Sequence, residues 1–137
     1  MILVDTSVIL DYLKNIQNEK SDIFEDLLTR KLPWGICEYV YQEVLQGAKD
    51  ENDFHSLKDY LDSLPMYFLK YGTVSFERSA RINFLCRRSG VTVRSTIDLL
   101  IAETAIENEV PILHNDSDFD NIAAKISDLR ILKEKFA

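Results

Sequence analysis

The chain has 137 residues, of which 46% are hydrophobic and 28% charged, with four glycines and three prolines. That balance excludes a disordered or linker-rich chain and suits one compact domain over residues 1–137 with a buried core. The formal charge of −7, from 23 acidic and 16 basic residues, counts against a nucleic-acid partner unless acids gather at one cation site; setting five aside would leave 18 against 16.

In chain order, Met1-Ile2-Leu3-Val4 is an aliphatic run without alternation, the pattern of a strand buried on both faces. It stops at Asp5. Thr6 and Ser7 follow as good helix N-caps, and a short helix is expected from Val8 to Lys14. Capping by Thr6 or Ser7 would leave Asp5 free at the carboxyl end of a parallel strand, where open α/β sheets bind ligands.

A helix is predicted over Glu19 to Lys31, with Ile23, Phe24, Leu27 and Leu28 on one face and Pro33 beyond it. Trp34 to Cys37 reads as a strand. Glu38 to Gln46 reads as a helix stopped by Gly47. Asp50 to Ser63 is amphipathic through Phe54, Leu57, Tyr60 and Leu61, and Pro65 ends it. Met66 to Leu69 is the next strand, and Ser75 to Ser89 a helix closed by Gly90. Thr96 to Glu109 is the most apolar helix, the kind that lies mid-domain. Val110 to Leu113 is a strand ending at His114-Asn115-Asp116, Phe119 to Ile126 a short helix, and Leu129 to Leu132 a last strand before a charged tail. Alternating strands and helices call for a mostly parallel sheet with helices on both faces.

Cys37 and Cys86 form no C-x-x-C pair and read as small buried hydrophobes. His55 and His114 lack zinc-ligand spacing. No apolar run approaches the roughly 18 residues that span a bilayer, and no signal-peptide pattern opens the chain, so a cytoplasmic protein is expected.

Three further acids sit where they could meet Asp5. Asp98 lies in the first turn of the apolar helix, beside Ile97 and Leu99. A carboxylate there is costly unless hydrogen-bonded, paired or bound to metal. It also reads as the end of a Ser95-x-x-Asp98 capping box, and composition leaves both readings open. Asp116 closes a strand and suits a helix cap, with Asp118 and Asp120 after it. A calcium loop starting there fails, since Asn121 replaces the turn glycine and Ser127 the bidentate glutamate. Glu43 is one acid on a helix face, a place usually solvated. If these acids converge, their mutual repulsion demands a counter-charge, and oxygen-only ligands select Mg²⁺ or Mn²⁺, which suits phosphodiester hydrolysis.

Val4-Asp5-Thr6-Ser7, Glu43 after the second strand, Thr96-Ile97-Asp98-Leu99-Leu100-Ile101-Ala102 and Leu113-His114-Asn115-Asp116-Ser117-Asp118-Phe119 together resemble the PIN domain, and more narrowly the VapC-type toxins of toxin–antitoxin pairs. The match runs in order along nearly the whole chain. The resemblance implies an α/β fold, a three-layer α/β/α sandwich on a mostly parallel, roughly five-stranded sheet. It implies a Mg²⁺- or Mn²⁺-dependent endoribonuclease with Asp5, Glu43, Asp98 and Asp116 as catalytic acids. Asp5, Asp98 and Asp116 would be metal ligands, Asp118 a further acid, and Thr6 and Ser7 donors to Asp5.

It also implies a small antitoxin that lays a helix into an apolar groove, lined by Ile23, Phe24, Leu27 and Leu28 or by Phe54, Leu57 and Leu61. A homodimer or a hetero-oligomer with the antitoxin would follow. For the RNA substrate, Arg94 is the leading phosphate contact, with Arg87 and Arg88 next. A non-catalytic PIN-like module binding RNA or protein is the alternative, and the complete acid set argues against it. A phospho-acceptor signalling domain would need an acid after the third strand, where Lys70 and Tyr71 stand. An aspartyl phosphatase would need an acid at Ser7.

Overall fold

In the computed structural model, which describes residues 1–134, the elements are β1 (Leu3–Val4), α1 (Thr6–Leu13), α2 (Glu19–Thr29), β2 (Ile36–Cys37), α3 (Glu38–Leu45), α4 (Glu51–Asp62), β3 (Met66–Tyr67), α5 (Thr73–Arg88), α6 (Thr96–Glu107), β4 (Ile112–Leu113) and α7 (Ser117–Lys125). The end of the charged tail lies outside the described residues.

Parallel strands and covering helices make this an α/β fold. β1 pairs with β4, Leu3 opposite Ile112 and Val4 opposite Leu113. β2 pairs with β3, Ile36 opposite Met66 and Cys37 opposite Tyr67. Single parallel bridges, Leu3 to Gly35 and Ile112 to Ile131, extend these pairs. A regular five-stranded sheet is therefore not what the described residues form: they make two two-stranded parallel sheets, and the expected last strand contributes one bridge at Ile131. The strands are short for a local reason. Helices start directly after β2 and one residue after β1. At the other end Pro65 and Pro111 have no N–H for the ladder, and only their carbonyls accept, from Ile36 and Leu3.

Leu3, Val4, Ile36, Cys37, Ile112 and Leu113 are all buried, as an unalternating aliphatic run requires. Phe24, Ile101, Phe119 and Ile122 pack in the same core. Both cysteines are free and buried, as expected. Gly35 is fixed by close approach: a Cβ there would lie 2.6 Å from the Pro65 carbonyl oxygen. At the end of α5 the positive φ of Gly90, 78°, lets Val91 N–H reach back to the Cys86 carbonyl.

The apolar stripes divide. Ile23, Phe24 and Leu27 of α2 are buried, which corrects their reading as a groove; they are core because α2 packs on α1. On α4, Leu61 is buried, but Phe54 stays 39% exposed. With Tyr41, Leu45, Leu64, Met66 and Phe68 it lines an open groove of about 660 Å³ between α3, α4 and the end of β3. Among the described residues no helix is long and apolar enough to cross a membrane.

Candidate active site

Asp5 follows β1, and its N–H donates to the Leu113 carbonyl, so the acid stands at the carboxyl end of the β1–β4 pair. It is 4% exposed. Contrary to the expectation that Thr6 or Ser7 caps α1, Asp5 itself is the N-cap. Its Oδ2 accepts from the Ser7 N–H at 3.1 Å and the Ser7 hydroxyl at 2.6 Å. Helix geometry dictates this, because the cap's acceptor meets the N–H two residues on. Burial pushes the Asp5 carboxyl up to about 6, against the pull of the Ser7 donors.

The two hydroxyls serve different acids. Ser7 holds Asp5, whereas Thr6 donates to Glu43 Oε1 at 2.8 Å rather than to Asp5. Glu43 reaches this place because α3 starts directly after β2, beside β1, and presents its second turn toward the start of α1.

Asp98, 8% exposed, lies in the first turn of α6. The Ser95-x-x-Asp98 capping box does not form: Ser95 is the N-cap but makes no side-chain cap bond, and among the described residues no donor hydrogen-bonds Asp98. Its carboxyl is pushed up to about 7, by burial first and then by the charges of Asp116, Asp5, Asp118 and Glu43. These acids are therefore near enough to act on one buried carboxyl.

The turn after β4 carries the rest. Asp116 caps α7 by accepting from the Asp118 N–H at 3.0 Å. Its own N–H donates to His114 Nδ1 at 3.0 Å. That bond assigns the proton to His114 Nε2, which donates to Asp120 Oδ1 at 3.2 Å. Burial lowers the His114 pKa, so the neutral ring that holds Asp116 is the favoured form. The Asn115 N–H donates to the Ser7 hydroxyl at 2.9 Å, and its side chain reaches Asp11. One hydroxyl thus ties the Asp5 corner to the Asp116 corner.

Reasoning from the sequence missed His114 and Asn115 as organisers. Their only signal was position at a strand end, since neither has ligand spacing. Asp118 is buried, at 3% exposure, and not the solvated neighbour of a helix cap. It accepts from Arg94 N–H at 3.3 Å and Arg94 Nε at 3.4 Å.

Asp98, Asp116 and Asp118 each offer an oxygen within 4.8 Å of the others. Asp5, expected as a ligand with Asp98 and Asp116, is outside that trio but inside their field. The set fits a hard divalent cation: every donor is a carboxylate oxygen, and the crowding raises Asp98, a cost that a cation would remove.

A family model described as PIN domain matches residues 2–125. The VapC ribonuclease Mb1587 of Mycobacterium bovis and the ribonuclease VapC11 of Mycobacterium tuberculosis are each 34% identical to the chain over 131 residues, 95% of this chain and 96% of theirs. Among solved structures, VapBC-1 from nontypeable Haemophilus influenzae has a TM-score of 0.72 at 18% identity, covering 97% of this chain and 98% of that one. VapBC2 from Rickettsia felis, bound to a DNA fragment from its promoter, has a TM-score of 0.70 at 19% identity and covers both chains in full.

Proposed function

The chain belongs to the PIN-domain family, and we propose that it is a Mg²⁺- or Mn²⁺-dependent endoribonuclease, the toxin of a toxin–antitoxin pair. The observation that carries the reading is the convergence of Asp5, Glu43, Asp98, Asp116 and Asp118 on one sheet edge, with Asp98 buried among the other four charges. Relatives named as ribonucleases and structural neighbours from toxin–antitoxin complexes support it.

Asp98, Asp116 and Asp118 would hold the cation, with the Asp5 carboxylate within their field. The bound cation supplies Lewis-acid polarisation of the phosphodiester and a more acidic water. The chain's own residues do the positioning. Ser7 fixes one oxygen of Asp5, and Thr6 fixes one oxygen of Glu43, which leaves the second Glu43 oxygen to orient the attacking water and take its proton. The imidazole of His114 holds the backbone of Asp116. Arg94 stands 71% exposed at the mouth as a phosphate contact. Arg88 stacks on Phe84, 5.6 Å from the ring centroid, and with Arg87 ends α5 on the solvent side.

The partner would be an antitoxin whose helix seats in the α3–α4 groove around Phe54 and Phe68. Glu38 and Asp62 on the groove lining, within a chain of −7, favour a basic partner. We read the whole chain as one cytoplasmic domain that works as a homodimer or in a hetero-oligomer with its antitoxin.

The test is cleavage of structured RNA by purified protein. Cleavage should need Mg²⁺ or Mn²⁺, and Asp98→Asn should abolish it without lowering the melting temperature of the metal-free protein. An Asp98→Asn variant that cleaves like the wild type sinks the assignment.

A further inference from the structure

Among the ion pairs of the described residues, one cation sits on the acid cluster, and it comes from the chain itself. Arg94 lies in the link at 89–95 that leads from α5 into α6. Its backbone N–H donates to Asp118 Oδ2 at 3.3 Å, and its Nε to Asp118 Oδ1 at 3.4 Å. Its Nη2 lies 3.8 Å from Asp116 Oδ1. The same two acids belong, with Asp98, to the trio whose oxygens lie within 4.8 Å of one another.

We propose that the Arg94 side chain is the cluster's own displaceable counter-cation, holding Asp116 and Asp118 until a divalent cation binds and then released toward the RNA backbone. The inference rests on the metal-dependent reading of the site and adds to it a competition within the chain.

Burial and distance carry the proposal together. The carboxylate end of the pair is inside, with the Asp118 side chain 4% exposed, while the Arg94 side chain is 71% exposed. A long, solvated side chain on a pair of this length is weakly retained. A divalent cation shared by the same oxygens repels the guanidinium across a short gap. The departing arginine has water and phosphate to meet, and the cluster exchanges one positive charge for two. The backbone bond from Arg94 to Asp118 does not depend on the side chain. Removing the guanidinium therefore removes the competitor and leaves Asp118 placed. A purely structural arginine would behave in the opposite way: its loss would loosen Asp118 and weaken cation binding.

The test is Mn²⁺ binding without RNA, by titration calorimetry at fixed ionic strength, on wild type, Arg94→Ala, Arg94→Gln and Asp98→Asn. Both arginine variants should bind Mn²⁺ roughly three- to tenfold more tightly than wild type, the scale of one or two exposed ion pairs removed. Asp98→Asn should lose binding. Equal or weaker Mn²⁺ binding by folded Arg94→Ala and Arg94→Gln overturns the competition while the metal site stands. If the wild type binds no Mn²⁺, the metal reading falls and the competition falls with it.

Discussion

Thr6 and Ser7 are adjacent and alike, yet they do separate jobs. The Ser7 hydroxyl receives the Asn115 N–H and donates to Asp5, while the Thr6 hydroxyl donates to Glu43. Thr6→Val keeps the shape and the helix start but frees the Glu43 carboxylate to rotate. Cleavage should fall about 10- to 100-fold, the usual cost of losing a partner that orients an active-site carboxylate, with little change in melting temperature; unchanged cleavage would remove Glu43 from the mechanism. Identity at this scale was half legible. Asp5, Asp98 and Asp116 announced themselves by standing at strand ends and in an apolar helix. What the one-dimensional pattern could not give was who bonds to whom. The Thr6–Glu43 bond spans 37 residues and the Asn115–Ser7 bond 108. Such pairings depend on strand register, which two-residue strands encode weakly.

At the scale of elements, the helices were readable and the sheet was not. Caps explain the offsets. Expected starts at Val8, Ser75 and Phe119 each fall two residues after the observed ones, because the N-cap positions Asp5, Gly72 and Asp116 lie two residues earlier than the apolar pattern suggests. The α2 stripe was correctly apolar, but whether it meets core or groove depends on α1, which local periodicity does not contain. The sheet hangs on close approach at Gly35, where the chain passes both Pro65 and Ile2. Gly35→Ala places a methyl against the Pro65 carbonyl and should destabilise the fold by about 1–3 kcal/mol, read as a lower denaturant midpoint. Because Glu43 follows β2, Gly35→Ala should also reduce cleavage. A neutral effect would mean that the β2–β3 contact is looser than its geometry.

For the whole molecule, the charge of −7 is a consequence of the site and of an acidic surface together. Read alone it pointed away from nucleic acid; only the gathering of buried acids reverses that inference. The burial has a thermodynamic signature. Asp5 and Asp98 rise from 3.8 to about 6 and about 7 in the folded chain. A carboxyl raised on folding contributes stability that is fully present below its unfolded value of 3.8 and is lost as pH rises through the folded value. Without divalent cation the protein should therefore melt lower at pH 8 than at pH 5, by a shift on the order of several degrees. A cation that binds the ionised acids should reverse the loss where they are charged. The deciding measurement is the melting temperature with chelator and with Mg²⁺ or Mn²⁺ across pH 5 to 8. The acids acting as one cation site predict a metal-free melting point that falls with pH and a metal-induced rise that grows with it; in Asp98→Asn the metal-induced rise is absent and the fall with pH, still carried by Asp5 and by the buried Glu103, is smaller. A metal-free melting point that is flat or rising, with no metal-induced rise at pH 8, would contradict it.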